Sequence, residues 1–319
     1  MNSPESISNL VLFALPESES IADRLAERVG ADVGRLTLHT FPDGESYLRI
    51  ESDVASRDVT IVASLHWPND KLLPLLLLAD TARELGATRV GLVAPYLAYM
   101  RQDTRFHPGE AISSRTVASL LSPRLDWLIT VDPHLHRYRS LDELFTIPAM
   151  TIRASAEIGH WIGNNVSSPF IIGPDAESKQ WVERIARAAD APFTVLAKTR
   201  RGDADVVETV PDLARHADRT PVLVDDIIST GKTMATAVRH LHDQSAHHVV
   251  CVATHAVFAG NAEAELRASG AARIVTTNTI PHHTNAIDVT ALIAAAMQVD
   301  VPSAPTTPSW EDECFRSHS

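Results

Sequence analysis

Two adjacent carboxylates and a small-residue turn stand out in residues 221–233, which read PVLVDDIISTGKT. Asp225 and Asp226 follow a predicted apolar strand, and the turn at residues 229–233 leads into a helix predicted to begin near Met234. The N–H groups of such a turn and of a helix N-terminus bind phosphate, while carboxylates accept hydrogen bonds from the vicinal hydroxyls of a ribose. The segment therefore predicts a site for a phosphorylated sugar.

The same residues have two other interpretations. The string Gly231-Lys232-Thr233 reproduces the end of the nucleotide P-loop pattern GxxxxGK[ST], but Asp226 stands where that pattern requires its first glycine. The purely structural alternative is an acidic helix cap after a buried strand. The complete string favours a phosphate loop formed by Ser229, Thr230, Gly231, Lys232 and Thr233.

A pair of basic residues follows the predicted strand FTVLA, namely Lys198 and Arg200. Alternate residues of an extended chain lie on the same side, so we expect these two side chains to point together. Paired cations suit a site at which negative charge develops on phosphate oxygens, because they stabilise that charge. Taken alone, KTRRGD is also typical of a solvated basic turn.

Two further segments carry polar or charged groups next to predicted strands. Residues 41–45 (FPDGE) follow the predicted strand LTLHTF, although Pro-Asp-Gly is also a common turn signature. Arg101 and Gln102 stand at the carboxyl end of a strand, where a guanidinium can bridge polyphosphate oxygens bidentately.

The phosphate loop resembles the phosphoribosyl-diphosphate loop of the type I phosphoribosyltransferase fold, and the ordered set of motifs resembles the ribose-phosphate diphosphokinase family. The other motifs are FPDGE (41–45), PYLAYMRQD (95–103), GEAIS (109–113), DPH (132–134), PDA (174–176), KTR (198–200) and TTNTIP (276–281). The resemblance covers roughly the first nine-tenths of the chain. Ser229 departs from it, because many members carry a third acidic residue there, but its hydroxyl still donates to phosphate.

The resemblance implies transfer of the diphosphoryl group of ATP to the C1 hydroxyl of ribose 5-phosphate. It assigns Lys198 to catalysis, and Arg200 to both catalysis and ribose 5-phosphate. The other ribose 5-phosphate ligands that it implies are Asp225, Asp226, Ser229, Thr230, Gly231, Lys232 and Thr233. The ATP ligands that it implies are Phe41, Asp43, Gly44, Glu45, Arg101 and Gln102. In family members the segment that corresponds to residues 41–45 lies across a subunit boundary. We therefore expect a homo-oligomer, a dimer or larger.

For a metal ion, the resemblance implies Mg²⁺ held by His134 and Asp175. Magnesium keeps water and substrate phosphates among its ligands, so we expect few protein ligands. His136 provides a second imidazole close by. The histidine pairs at 247–248 and 282–283 lack a partner acid at a recognisable spacing and are interpreted as structural.

The chain is predicted to be an α/β protein with two tandem phosphoribosyltransferase-like domains, each a mainly parallel sheet flanked by helices. LVLFALPESES in the first half parallels FIIGPDAESKQ in the second, and the succession of strands and helices continues in register, which indicates a duplication. We expect an N-terminal domain at residues 1–150 and a C-terminal domain at residues 151–301. Residues 302–319 have little periodic apolar content and are predicted to be a disordered tail.

Composition narrows the class of protein. The formal net charge of −12 argues against nucleic acid as a partner, and no apolar run is long enough to cross a bilayer. The polar N-terminus MNSPESIS lacks the basic region of a signal peptide, so we expect a cytoplasmic protein that acts on ATP and ribose 5-phosphate.

Two alternative functions remain at this point. A phosphoribosyltransferase would use the same loop, but it would need neither two tandem domains nor the Arg-Gln-Asp segment. A catalytically silent regulatory subunit would be expected to lack the Lys198/Arg200 pair or the acidic loop, and this chain has both.

Overall fold

The computed structural model describes residues 9–299 except residues 136, 202–204 and 210–212. It describes the backbone, but not the side chains, of residues 197–201, 205–209 and 213. His136 and the predicted tail at residues 302–319 therefore lie outside the described residues.

The first half of the chain alternates strands with helices. Its elements are β1 (Leu10–Ala14), α1 (Glu19–Val29), β2 (Asp32–Val33), β3 (Leu36–Thr40), β4 (Ser46–Ile50), β5 (Asp58–Val62), α2 (Asn69–Glu84), β6 (Arg89–Ala94), α3 (Ser113–Leu121), β7 (Trp127–Val131), a 3₁₀ turn at Leu141–Glu143 and β8 (Ala149–Ile152).

The second half repeats this succession. Its elements are α4 (Ser155–Asn165), β9 (Pro169–Gly173), α5 (Lys179–Ala188), β10 (Phe193–Val195), β11 (Ala197–Arg201), β12 (Asp205–Thr209), a 3₁₀ turn at Leu213–His216, β13 (Thr220–Ile228), α6 (Lys232–Asp243), β14 (Val250–Ala256), α7 (Ala262–Ala268), β15 (Arg273–Thr277), β16 (Asn285–Ile287) and α8 (Thr290–Met297).

The two halves have the same sheet topology, which confirms the predicted α/β class with two parallel sheets. The first sheet has the order β2-β1-β5-β6-β7-β8 and the second the order β10-β9-β13-β14-β15-β16. Neighbouring strands in both sheets are parallel. Each half adds an antiparallel hairpin at the same point in the order, β3–β4 in the first and β11–β12 in the second. This correspondence is the structural counterpart of the duplicated sequence pattern.

Helices cover the sheets with apolar faces, as the strand-and-helix pattern predicts. In α1 the buried residues Ile21, Ala22, Leu25 and Ala26 recur at helical spacing, so one stripe packs on the sheet. The helix ends at Gly30, whose φ of 68° is a left-handed conformation that glycine adopts without strain.

Buried apolar clusters join the two halves, and one of them lies between the sheets and α1 and α8. This cluster contains Leu12 and Leu25 from the first half together with Val222 and Ile293 from the second, and α8 packs against α1. The predicted domain boundary after residue 150 falls inside β8, the strand at the edge of the first sheet. Among the described helices, none combines the length and apolar character needed to cross a bilayer.

Candidate active site

A cavity of about 520 Å³ lies between the two halves. It is at the carboxyl ends of β7, β9 and β13, the edge at which open parallel sheets bind ligands. Both halves contribute to its wall. The lining residues are Asp132, Pro133, His134, Leu135, Tyr138, Arg139, Ser140, Ala149, Thr151, Arg153, Pro174, Asp175, Glu177, Ser178, Trp181, Arg184, Asp225 and Asp226.

The diacidic pair lies inside β13 and not beyond its end. The sequence predicted a strand that stops before Asp225, whereas β13 continues to Ile228. The difference arises from the next strand, because Asp225 pairs with Ala253 and Ile228 with Ala256 of β14, and these added backbone contacts extend the strand. The two carboxylates still face the cavity at the carboxyl edge of the sheet.

The two carboxyl groups have different electrostatic environments. Burial raises the pKa of Asp225 well above its usual value, and the negative charge of Asp226 raises it further. Burial also acts to raise the pKa of Asp226, but the hydrogen bond and charge of His134 outweigh it and lower that pKa. Asp225 therefore retains a proton more readily than Asp226, so the pair offers one better donor and one better acceptor to a sugar hydroxyl.

The turn after β13 forms a second pocket of about 100 Å³, which adjoins the first at Asp225. Residues 229–233 line it, as the sequence predicted for a phosphate loop. The helix α6 begins at Lys232, two residues before the predicted start. Its first intrahelical bond runs from Ala235 N–H to the Gly231 carbonyl at 2.8 Å, so the preceding N–H groups remain available to an anion.

Gly231 permits the shape of this turn. Its φ is 69°, a left-handed conformation that L side chains rarely adopt. A Cβ atom at this position would lie 3.1 Å from the carbonyl oxygen of Ala262, at the start of α7. The first turn of α6 also has no acidic residue that would repel a phosphate.

His134 and Asp175 both line the main cavity, from opposite halves of the chain. The Nδ1 atom of His134 hydrogen-bonds to Oδ2 of Asp226. The Oδ1 atom of Asp175 accepts a hydrogen bond from the N–H of Ser178 at 2.8 Å, which holds the turn before α5. Mg²⁺ binds a few carboxylate oxygens and takes water and phosphate as its other ligands. This edge of the sheet, which has several carboxylates, therefore suits Mg²⁺.

A buried histidine holds the turn that precedes His134. The Nε2–H of His255 donates to the Asp132 carbonyl oxygen at 3.2 Å, and Asp132 has a φ of 35°. Burial lowers the pKa of His255 to about 4, so this imidazole is neutral near pH 7. Burial also raises the pKa of the Asp132 carboxyl to about 6, while the N–H of Ala154 donates to that carboxyl at 2.9 Å. These contacts join β14 of the second half to the end of β7 in the first.

Arg101 is exposed and lies in the segment that follows β6. Burial raises the pKa of the Tyr96 hydroxyl, while the charge of Arg101 acts to lower it and the charge of Asp226 acts to raise it. Neither Arg101 nor Gln102 lines the two pockets described above.

Gln102 and Asp103 hold the loop that follows Arg101. The Gln102 amide donates to Oε2 of Glu110 at 3.1 Å, and the same oxygen accepts the N–H groups of residues 106 and 107. Asp103 is buried and forms an ion pair with Arg137, with 2.9 Å between Oδ1 and Nη1. The sequence assigned no role to Asp103, which here ties this loop to the segment that carries His134.

Residues 41–45 form the tip of the β3–β4 hairpin. The N–H of Phe41 donates to the Glu45 carbonyl at 2.7 Å, Asp43 Oδ1 accepts the N–H of Glu45 at 3.2 Å, and Gly44 has a φ of 93°. The Phe41 ring is 42% exposed. Within the described part of the chain, this tip contributes to neither pocket described above.

Lys198 and Arg200 occupy alternate positions of β11, as the sequence predicted for an extended segment. In the antiparallel hairpin, Lys198 is opposite Glu208 and Arg200 is opposite Val206 of β12. The side chains of all four residues are outside the described part of the structure.

Two arginines of the cavity were not predicted from the sequence. Arg153 directly follows β8 and Arg184 lies on α5, and both line the main cavity. Burial lowers the pKa of Arg184, and the neighbouring charge of Arg153 lowers it further. The position of Arg153 directly after a strand could have indicated a site residue. Arg184 gave no such indication, because it is one of several cations on an amphipathic helix.

Comparisons with known proteins agree with this arrangement. Residues 10–123 match the family model of the N-terminal domain of ribose phosphate pyrophosphokinase, and residues 140–292 match that of the phosphoribosyl transferase domain. The ribose-phosphate pyrophosphokinase of Methanopyrus kandleri is 36% identical over 91% of this chain and 99% of its own length. That of Haemophilus influenzae is 32% identical over 86% of this chain and 87% of its own.

A solved structure supports the same assignment. The phosphoribosylpyrophosphate synthetase from Mycobacterium smegmatis is similar to this fold with a TM-score of 0.80 and 28% identity, over 91% of this chain and 98% of its own. Similarity of sequence and fold thus extends through both halves and includes the cavity between them. The chain therefore belongs to the ribose-phosphate pyrophosphokinase family.

Proposed function

We propose that this protein is a ribose-phosphate diphosphokinase. It transfers the β,γ-diphosphoryl group of ATP to the C1 hydroxyl of ribose 5-phosphate and releases AMP and 5-phosphoribosyl 1-diphosphate. The observation that carries the proposal is the phosphate loop beside the diacidic pair on β13, at a cavity between two matched domains. The similarity to relatives of that name over about nine-tenths of the chain supports it.

The sugar binds at the carboxyl end of β13. The free N–H groups at the start of α6 and the side chains of residues 229, 230, 232 and 233 hold the 5-phosphate. Asp225 and Asp226 hold the ribose hydroxyls, and their different pKa values let one carboxyl donate while the other accepts. The C1 oxygen then faces the main cavity, where it attacks the β-phosphorus as the bond to the AMP oxygen breaks.

The protein contributes mainly position and charge to this step. Lys198 and Arg200 on β11 stabilise the negative charge that develops on the transferred group, and Arg200 also contacts the sugar phosphate. Arg101 and Gln102 hold the polyphosphate of ATP. The hairpin tip with Phe41, Asp43, Gly44 and Glu45 holds the adenine of ATP bound to another subunit.

This role for the hairpin tip requires an oligomer. Because the tip lines neither the interdomain cavity nor the phosphate-loop pocket of its own chain, it reaches the nucleotide of this site across a subunit boundary. We therefore infer a homo-oligomer, a dimer or larger. We also propose a cytoplasmic enzyme without nucleic acid or membrane partners, and the net charge of −12 supports the absence of a nucleic acid partner.

His134 and Asp175 are the protein groups that hold Mg²⁺. When bound, the ion neutralises charge on the phosphate oxygens of ATP and the product. Within the protein, Asp226 fixes the orientation of the His134 ring, and Ser178 fixes one oxygen of Asp175.

One assay separates this function from its competitors. Purified protein is incubated with ATP, Mg²⁺ and ribose 5-phosphate, and AMP and 5-phosphoribosyl 1-diphosphate are quantified together. We expect equal amounts of both products, and none after chelation of the metal. Absence of product over a range of metal and phosphate concentrations would favour a silent subunit. Release of pyrophosphate from added 5-phosphoribosyl 1-diphosphate and a nucleobase would instead indicate a phosphoribosyltransferase.

A further inference from the structure

A second group of metal-ligating side chains lies outside the active site, where the α7 segment meets the loop between β15 and β16. It consists of Glu263, His282 and His283, and one ligand atom from each lies within 4.8 Å of the others. The Nε2 atom of His283 is 2.9 Å from Oε1 of Glu263, and the Nε2 atom of His282 is 3.7 Å from Oε2. The sequence shows no acid at a recognisable spacing from these histidines, whereas the fold brings Glu263 of α7 against both of them.

Neighbouring residues hold His282 and Glu263 in position. The ring of His282 stacks on Phe258 with centroids 4.5 Å apart, and its Nδ1 atom is 2.9 Å from Oγ1 of Thr284. Its Nε2 atom is therefore left to face Glu263. The Oε1 atom of Glu263 accepts from Nε and Nη2 of Arg267 at 2.8 and 2.7 Å. Hydrogen bonds to the second ring nitrogen and the second carboxylate oxygen are typical of the outer shell of metal sites.

We propose that Glu263, His282 and His283 bind a divalent transition-metal ion of the zinc class. Two imidazoles and one carboxylate form the ligand set of open zinc sites, in which water or another small ligand occupies the fourth position. Imidazole nitrogens favour such ions over Mg²⁺, which prefers oxygen ligands. The site is therefore chemically distinct from the Mg²⁺ site at the interdomain cavity.

Burial and neighbouring charges act on two of these side chains. Burial lowers the pKa of His282, and the neighbouring charge of His283 lowers it further. Burial acts to raise the pKa of Glu263, but the hydrogen bonds from Arg267 and His283 outweigh it and keep the carboxylate ionised. His283 is 66% exposed, so its ring has room to move the short distance inward that bonds of about 2.0–2.2 Å require.

The position of the cluster gives the ion a structural effect on the sugar site. The N–H of Phe258 donates to the Ile228 carbonyl at 2.8 Å, and the N–H of Ala259 donates to the Ser229 carbonyl at 3.0 Å. Ala262, beside Glu263, packs against Gly231 of the phosphate loop. An ion bound to both α7 and the β15–β16 loop therefore stabilises residues 258–262, the segment that contacts the phosphate loop.

The test measures metal binding to the tag-free, full-length protein after removal of bound metals. Zn²⁺ is titrated calorimetrically in an excess of Mg²⁺, and Co²⁺ is followed by its visible absorption, which reports tetrahedral coordination. We expect one equivalent of Zn²⁺ bound per chain in the presence of Mg²⁺. His283→Asn and Glu263→Gln should each weaken this binding at least tenfold, while His160→Asn, a change at an exposed residue of α4, should leave it unchanged.

Several outcomes would overturn the proposal. One is the absence of Zn²⁺ binding in excess Mg²⁺, which would leave the cluster as an ion pair between Glu263 and a charged histidine. Another is binding that His134→Asn abolishes while His283→Asn retains it, because this would place the ion in the interdomain cavity. Circular dichroism of each variant shows whether the fold is kept, and the exposed position of His283 makes its variant the decisive one.

Discussion

The left-handed conformation of Gly231 allows a sharp test of the phosphate loop. Replacing it by alanine forces an L side chain into a φ of 69° and places a Cβ atom 3.1 Å from the Ala262 carbonyl oxygen. An L residue in this region costs about 1–2 kcal/mol, and the tight contact requires the backbone to shift. In the variant, the loop relieves the backbone strain and the tight contact by leaving the conformation in which its N–H groups surround the phosphate.

The matched control is Gly30→Ala. Gly30 ends α1 at a φ of 68°, but a Cβ atom there would meet nothing within 4 Å. Gly30→Ala therefore places an L side chain in a similar conformation without the tight contact, at a position that lines neither pocket. Only Gly231→Ala should affect the sugar. A cost of about 1–2 kcal/mol borne by the bound loop corresponds to a rise of about 5- to 30-fold in KM for ribose 5-phosphate.

The assay is steady-state formation of AMP with ribose 5-phosphate varied at saturating ATP and Mg²⁺, followed by the converse titration of ATP. We expect Gly231→Ala to raise KM for ribose 5-phosphate and to leave KM for ATP near the wild-type value. A wild-type KM for ribose 5-phosphate in Gly231→Ala would refute this explanation. An equal rise of that KM in Gly30→Ala would refute it as well.

Three further substitutions test other parts of the site. Asp226→Asn should lower kcat/KM for ribose 5-phosphate about 10- to 100-fold by removing a charged hydrogen-bond acceptor, whereas Asp243→Asn at the far end of α6 should not; equal effects in steady-state kinetics would contradict this assignment. His255 has a pKa lowered from 6.5 to about 4, so the unfolded chain binds the additional proton and stability falls as pH drops from 6.5 to 4. His255→Gln cannot take that proton, so its unfolding midpoints should fall less than those of the wild type over this range, and parallel curves would refute the explanation. Arg137→Leu leaves the buried Asp103 carboxylate without its ion pair, and should lower the unfolding free energy by about 1–3 kcal/mol in urea denaturation; an unchanged midpoint would show that the pair is not stabilising.

Much of the fold followed from local patterns. The strand, acidic pair and small-residue turn in residues 221–233 are contiguous, so their backbone conformation depends mainly on these residues, and the structure has the predicted strand, turn and helix. The duplicated strand-and-helix succession likewise predicted two sheets, and both have the same strand order. The limits of the elements were less predictable. The end of β13 depends on β14 beside it, which the residues of β13 do not encode.

Contacts between distant residues needed the tertiary structure. His134 and Asp226 are 92 residues apart, and their hydrogen bond exists because the two sheets meet at the interdomain cavity. Asp103 could be predicted to lie in a nucleotide-binding segment, but its buried ion pair with Arg137 depends on how two loops pack. Arg153 and Arg184 likewise lie together only because the segments that carry them pack around the same cavity.

The sequence by itself determined the class of fold, the duplication and the strand, turn and helix that include residues 221–233, because each depends on residue types at short, regular spacing. Only the tertiary structure decided which side chains meet across the two halves, and which acid accompanies His282 and His283. Glu263 lies on α7, about twenty residues before these histidines, and no fixed spacing relates a helix to the loop after the following strand. Their proximity is set by the packing of β14, α7 and β15, to which many residues contribute together.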